Sequence, residues 1–346
     1  MRALLCTDAV GGVLTYTQEL RDALALHGVE ATVAAIGPQA PPDPRVHYMR
    51  CRLEWQEQPW EDVDASAEWL CELAEELRAD VVNLAAMTHG AAAWPASTVA
   101  VVHSCLLSWQ RAVRRCPAPA EWRGYRERVA AGLSRSDALV APTRTMLAQV
   151  RELYALHRTG TVIGNGISLG RPQPGKRERV ILAAGRMWDE AKGLRDLAAA
   201  AARLPWPVEV AGEIGAGATD DHITLLGQLP RPRLRSRMAQ AAIFAHPARY
   251  EPFGLAPLEA AAAGCALVLG DIGTLRELWD GAAVFVPPGR PRALAEALLG
   301  LAEDEQLRSR MAALARERAT HHSAHEMGGA YAHLYERLTA RRAAYA

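Results

Sequence analysis

The sequence predicts an α/β protein of two parallel-sheet domains, on three observations. A strand–loop–helix–strand rhythm opens the chain over residues 2–36 and restarts at residue 180. Such alternation lays strands in parallel with helices on the faces of the sheet. A stretch crowded with proline and glycine, 169–179, separates the two runs. The third observation is length: 346 residues are many for one core and comfortable for two domains.

Composition narrows the partners. The 39 Lys and Arg residues balance 39 Asp and Glu, which argues against a generally basic, nucleic-acid-binding surface. The cysteines at positions 6, 51, 71, 105, 116 and 265 form no C-x-x-C pair and read as reduced thiols of a cytoplasmic chain. No apolar run approaches the roughly 18 residues of a membrane-spanning helix. Residues 1–6 are too short an apolar segment for a signal peptide. A soluble, cytoplasmic protein is expected.

In the first half, 2–6 read as a strand, 7–12 as a loop, 13–27 as a helix stopped by Gly28, and 30–36 as the next strand. Gly11 and Gly12 sit at the first strand-to-helix turn, the end of an open α/β sheet where ligands bind. Adjacent glycines let a backbone N–H approach a phosphate or sugar. A tight turn explains them equally well, and the pattern is not the G-x-G-x-x-G of dinucleotide enzymes. Residues 38–44 are a proline-rich loop. Helical spacing covers 61–77, with Trp69, Leu70, Leu73 and Leu77 on one side. Residues 80–85 and 98–102 read as strands. His103 follows the second directly, where side chains point into the ligand crevice, although a lone histidine is more often structural. Segment 106–126 interleaves Trp109, Trp122 and Tyr125 with Arg111, Arg114, Arg115, Arg123 and Arg126. Flat aromatic faces stack on sugar rings, and arginines grip phosphates or carboxylates. Trp109, Arg114 and Arg115 are therefore candidates for a sugar-like or anionic partner; a helix with an apolar stripe and a solvated basic face is the plain alternative. A strand over 139–143, a helix over 144–156 and the sharp-turning Asn165-Gly166 close this half.

In the second half, a strand over 180–184 leads into Gly185-Arg-Met-Trp-Asp-Glu-Ala-Lys-Gly193. Arg186 and Lys192 could neutralise a diphosphate, the arginine as a bidentate fork and the lysine as a point charge. No D-x-D pair is read as a metal site, so neither metal nor cofactor is expected. Residues 207–211 and 223–227 read as strands, the latter leading to Gln228-Leu229-Pro230. The most informative stretch follows the buried strand 241–245: His246-Pro-Ala-Arg-Tyr250, then Glu251-Pro-Phe-Gly-Leu-Ala-Pro-Leu-Glu259, then a helix over 260–263. Pro252, Gly254 and Pro257 make a tight turn, and Pro257 stands in the first turn of the helix, where proline is tolerated. Strand, glycine loop and helix N-terminus form an anion site. Glu251 and Glu259 cannot serve a phosphate there. Carboxylates are acceptor-only and suit sugar hydroxyls, so the loop fits a molecule with both phosphate and polyol, a nucleotide sugar. Strands over 266–269 and 283–286 follow, and 273–277 opens another helix. From 291 onward the chain is largely helical. His321, His322, His325 and Glu326 include a histidine pair at zinc-compatible spacing, but with no third ligand nearby they read as a solvated helix end.

Tyr250-Glu-Pro-Phe-Gly-Leu-Ala-Pro-Leu-Glu-Ala260, followed by Gly264, Gly273 and Glu277, resembles the E-x7-E signature of retaining glycosyltransferases of family 4, which have the GT-B fold. The resemblance implies two Rossmann-like domains facing across a cleft: 1–168 on the acceptor side, a linker at 169–179, and a nucleotide-sugar domain at 180–325. A final helix, 326–346, would cross back to the first domain with 331–338 as its core face. It also implies metal-independent, retaining transfer of a sugar from a nucleoside-diphosphate sugar, UDP favoured over GDP, to a hydroxyl of a small molecule or glycan. By position, Gly11, Gly12, Arg186, Lys192, Gln228, Leu229, Glu251, Phe253, Gly254, Leu255 and Glu259 would bind the donor. Gln228 and Leu229 would frame the base through their backbone. His103, Arg186, Lys192 and Glu251 would be the catalytic set. Ser104 stands where an acidic residue is common in the family, a departure that touches acceptor contacts and not the fold. A GT-B-fold nucleotide-sugar epimerase and a non-catalytic nucleotide-sugar-binding subunit are the alternatives. The intact Arg186, Lys192, Glu251 and Glu259 set argues against the second of these.

Overall fold

The computed structural model describes residues 1–170, 177–215 and 221–345. Residues 171–176, which hold Pro172, Pro174 and Gly175 of the expected linker, lie outside the described residues. The chain opens with β1 (Arg2–Asp8), α1 (Gly12–Ala25), β2 (Glu30–Gly37), β3 (His47–Arg50), α2 (Trp60–Glu76), β4 (Val81–Leu84) and β5 (Ser97–Val101). There follow α3 (Leu106–Val113), α4 (Arg123–Arg135), β6 (Ala138–Ala141), α5 (Arg144–Leu153) and β7 (Thr161–Val162). The rhythm restarts with β8 (Glu178–Ala184), α6 (Leu194–Ala201), β9 (Val208–Ala211), β10 (Ile223–Gly227), α7 (Arg231–Gln240) and β11 (Ala241–His246). Then come α8 (Leu255–Ala263), β12 (Ala266–Gly270), α9 (Gly273–Trp279), β13 (Val284–Val286), α10 (Pro291–Glu303), α11 (Glu305–Thr320) and α12 (Ala324–Tyr345).

Two sheets result, both parallel throughout: β3-β2-β1-β4-β5-β6-β7 and β10-β9-β8-β11-β12-β13. Their central strands are largely apolar because helices cover both faces. Ile181, Ile243, Phe244 and Leu267, for example, are fully buried. β3 escaped the sequence reading: its four residues, His47-Tyr-Met-Arg50, lie on a sheet edge and are half or fully exposed, so they carry no apolar alternation.

The chain divides into two compact units, Met1–Ser168 with Ala324–Ala346, and Leu169–Ser323. α12 thus belongs to the first unit although it closes the sequence. Tyr331, Leu334, Tyr335 and Leu338 recur at helical spacing and are all buried. The Tyr16 hydroxyl on α1 and the Tyr331 hydroxyl are 2.7 Å apart, and Asn83 Nδ2 on β4 donates to the Tyr335 hydroxyl at 2.8 Å. No helix among the described residues is long and apolar enough to cross a membrane.

Candidate functional site

In each sheet the strand order reverses once, between β1 and β4 in the first and between β8 and β11 in the second. An open α/β sheet holds its ligand outside the carboxyl ends of strands flanking such a reversal. In the second unit, the loop after β8 carries Arg186 and Lys192, and the loop after β11 carries Glu251 and Gly254. Two features sew these loops together. The Arg249 N–H donates to the Ala191 carbonyl at 2.8 Å, and its guanidinium pairs with Asp196 Oδ2 of α6 at 3.0 Å. Gly193 adopts φ 72°, and a Cβ there would stand 2.6 Å from the Pro247 carbonyl oxygen, so only glycine permits both the turn and the approach.

The loops converge on Glu251. Lys192 Nζ donates to Glu251 Oε2 at 2.8 Å, and His246 Nε2 stands 3.0 Å from the same oxygen. The lysine and glutamate side chains are 12 % and 14 % exposed, so their attraction is weakly screened. Burial by itself would raise the Glu251 pKa. The Lys192 ammonium and the His246 hydrogen bond outweigh it and hold the carboxyl well below its ordinary range. Glu251 is therefore ionised at neutral pH, a hydrogen-bond acceptor and not an acid. Its main chain is fixed as well, since Thr274 Oγ1 of α9 donates to the Glu251 carbonyl at 2.5 Å.

Gly254, at φ 93°, is the N-cap of α8. No side chain caps that helix and its first turn holds no acid, so its leading N–H groups keep their affinity for an anion. Glu259, one turn in, is paired through Oε1 with Arg231 Nε at 3.0 Å and Nη2 at 2.9 Å. Sequence reasoning did not single out Arg231. It opens α7 immediately after the Gln228-Leu229-Pro230 turn, and that adjacency is the signal that could have found it. Arg186 lies over Trp188, 5.6 Å from guanidinium carbon to ring centroid, and no carboxylate among the described residues pairs with it. Gln228 is exposed, while Leu229 and Leu255 are half-buried. The Phe253 side chain turns into the protein. Its ring is 3 % exposed and meets His322 edge-on at 5.4 Å.

In the first unit, Gly11 and Gly12 are exposed at the start of α1, with Gly11 at φ 74°. His103 follows the carboxyl end of β5. Its ring packs on Tyr16 at 4.3 Å, and its Nε2 is shut from solvent with no hydrogen-bond partner. Burial lowers its pKa from 6.5 to about 3, so the imidazole is neutral. The candidate acceptor residues separate. Trp109 has Arg114 over its ring at 5.7 Å, whereas Arg115 lines a cavity of about 580 Å³ with Arg111, Arg126 and Glu152. Tyr125 is no surface aromatic: it is 4 % exposed and its hydroxyl accepts from the Leu106 N–H at 3.3 Å.

Two patterns with metal-like spacing have ordinary explanations. The triplet Asp62-Val63-Asp64, a D-x-D missed in the sequence reading, lies within α2, and its carboxylates are held by Arg52 and Arg128. His322 packs on Phe253, and the His325 ring stacks on His27 at 4.6 Å. A cavity of about 1020 Å³ lies at the amino ends of β5, β6 and β7, lined by Arg158, Arg337, Arg341 and Arg342 among others. That is the opposite end of the sheet from the residues above.

Two family models match successive parts of the chain. "Glycosyltransferase Family 4" matches residues 10–171 and "Glycosyl transferases group 1" matches residues 170–318. Among curated proteins, the phosphatidyl-myo-inositol mannosyltransferase of Mycolicibacterium smegmatis is 32 % identical over 57 % of this chain and 54 % of its own. The chain thus spans about half the length of that relative. A D-inositol 3-phosphate glycosyltransferase of Xylanimonas cellulosilytica is 29 % identical over 98 % of this chain and 94 % of its own. Among solved structures, sucrose-phosphate synthase from Thermosynechococcus elongatus superposes with a TM-score of 0.83 at 18 % identity, covering 99 % of this chain and 100 % of that one. Anabaena HepE in complex with UDP-glucose gives 0.79 at 16 % identity, covering 98 % and 100 %. At these identities the structures establish the fold alone, which is GT-B.

Proposed function

The chain belongs to the glycosyltransferases that join a family 4 domain to a group 1 domain, and from that premise we propose that it is a retaining, metal-independent transferase using a nucleoside-diphosphate sugar. The observation that carries the reading is the meeting of Lys192 and Glu251, 59 residues apart, at the reversal point of the second sheet. Beside an uncapped helix N-terminus, that pair offers cation and carboxylate together, which a sugar attached to a diphosphate requires.

In this proposal, the C1–O bond to the β-phosphate breaks as the acceptor hydroxyl forms its bond to C1 on the same face. The departing phosphate oxygen takes the hydroxyl proton. Arg186, Lys192 and the N-terminal N–H groups of α8, following Gly254, stabilise the charge that gathers on the leaving diphosphate. Preorganised electrostatics of this kind is usually the largest catalytic term. Lys192 has three N–H donors and can hold Glu251 and a phosphate oxygen together. The cations of Arg186 and Lys192 are the reason that no metal is assigned to the donor. Ionised Glu251 accepts from hydroxyls of the transferred sugar, and Glu259 from the ribose, with Arg231 orienting it. Neutral His103 is a hydrogen-bonding group for the sugar and not a proton carrier near neutrality. Gly11 and Gly12 approach the donor through their backbone, as do Gln228, Leu229, Phe253 and Leu255. UDP is the favoured carrier, since HepE was crystallised with UDP-glucose, and a cytoplasmic setting is part of the same proposal. The acceptor is a small molecule or glycan hydroxyl. Trp109, Arg114 and Arg115 are assigned to it, and the inositol-bearing names of the relatives favour a polyol.

The test is a transfer assay with UDP-sugars and polyol acceptors in EDTA, followed by determination of the product anomer. Product of retained configuration, formed in EDTA and lost in Glu251→Ala, is expected. An inverted product, or transfer that needs added divalent metal, would overturn the mechanism.

A further inference from the structure

Resting on that role for Glu251, we propose that His246 is a positioning residue of the reaction, holding Glu251 so that its Oε1 faces a hydroxyl of the transferred sugar. Lys192 and His246 both contact Oε2, at 2.8 and 3.0 Å, and no hydrogen bond or ion pair to Oε1 is present among the described residues. An ionised carboxylate only accepts, so the His246 proton resides on Nε2. Two donors on one oxygen occupy its lone pairs and fix the plane of the carboxylate. The second oxygen remains on offer.

The two donors are not equivalent. Lys192 is a point charge on a flexible stem and imposes little direction. His246 is the last residue of β11, paired with Leu269 of β12, and it is 2 % exposed. Its ring is carried by a central strand of the sheet, whereas Glu251 stands on the loop that follows. If Lys192 turns toward a diphosphate, His246 still holds the carboxylate. A buried imidazole also carries a desolvation cost that the apolar residues before it in β11 do not, and its Nε2–H recovers that cost on Glu251.

The experiment compares His246→Leu, His246→Gln and Glu251→Gln with the wild type. Turnover is measured with UDP-sugar and acceptor, and UDP affinity is measured by calorimetry. Leucine keeps the bulk without the donor, and the glutamine amide places an N–H near the position of Nε2. The expected result is a fall in kcat of roughly 10- to 100-fold in His246→Leu, unchanged affinity for UDP, which lacks the sugar, and recovery of most turnover in His246→Gln. A general loosening of the fold would weaken UDP binding and would not be rescued by glutamine. Wild-type turnover in His246→Leu, equal damage in both histidine variants, or a matching loss of UDP affinity would each overturn the inference. If Glu251→Gln is inactive while His246→Leu is not, the inference alone fails. If Glu251→Gln is fully active, the assignment of Glu251 fails with it.

Discussion

The two units present their candidate residues in contrasting ways. In the second, charged groups meet: Lys192 and His246 share Glu251 Oε2, and Arg231 pairs with Glu259. In the first, His103 is a single neutral imidazole against Tyr16, its Nε2 buried and unpartnered. Glu251 and Glu259 are each held by a cation of the same unit in the ligand-free protein, which stabilises an ionised carboxylate in a largely buried place. The neutral imidazole of His103 has no counter-charge beside it. The difference predicts that substitutions in the second unit act through electrostatics, and those at His103 through desolvation.

The largest effect is expected at Lys192. Lys192→Ala removes a charge from the leaving group and half the support of Glu251. It should lower turnover by about 100- to 1000-fold, or about 3 to 4 kcal/mol of transition-state stabilisation. Turnover within a fewfold of wild type would erase the contrast between the units. Gly193→Ala comes next. Its Cβ would press on the Pro247 carbonyl in a left-handed conformation, and a loss of about 2 kcal/mol in urea unfolding is expected.

The two loops that meet at Glu251 were legible in the sequence because the chemistry within each is contiguous. Glu251 to Glu259 is one strand-end loop and helix start, and Gly185 to Gly193 is another. What escaped was pairing across distance: nothing local tells that Arg231 reaches Glu259, or that His246 bonds a glutamate five residues on. The signal for His246 was nonetheless the one used for His103, a histidine at the carboxyl end of a parallel strand. The aromatic and basic segment stayed open between two readings because composition cannot separate core from surface. Tyr125 is buried, and Trp109 lies beneath Arg114. β3 lacks any apolar alternation because it is an edge, and nothing in its motif tells that the Phe253 ring turns inward.

The pH response sharpens the other side of the comparison. Burial presses His103 from 6.5 to about 3 and His89 from 6.5 to about 4. With folded values below the unfolded one, the unfolded chain takes up protons first as the pH falls. Stability from these groups is therefore complete above about 6.5 and is lost on the acid side, down to the folded values. Within that window His103 contributes a slope of about 1.4 kcal/mol per pH unit. His103→Gln should flatten the stability profile between pH 6 and 4 by about that amount, measured by urea unfolding at each pH. An unchanged slope would mean that His103 is hydrated and not held bare. The smallest effect belongs to Arg114→Ala and Arg115→Ala, exposed positions where stability should stay within about 0.5 kcal/mol of wild type. A severalfold rise in acceptor KM is expected, and an unchanged KM would remove both from the acceptor site.

The central claim, a diphosphate held by protein cations, is tested most directly by the shift in thermal midpoint that UDP produces in EDTA, in the wild type and in Arg186→Ala. Arg186 pairs with no carboxylate among the described residues, so its removal leaves the charge network around Glu251 in place. At about 100 times its dissociation constant, UDP should add roughly 2.7 kcal/mol of stability to the wild type. Most of that gain should vanish in the variant. Equal stabilisation of both proteins, or stabilisation that appears only when a divalent metal is added, would contradict it.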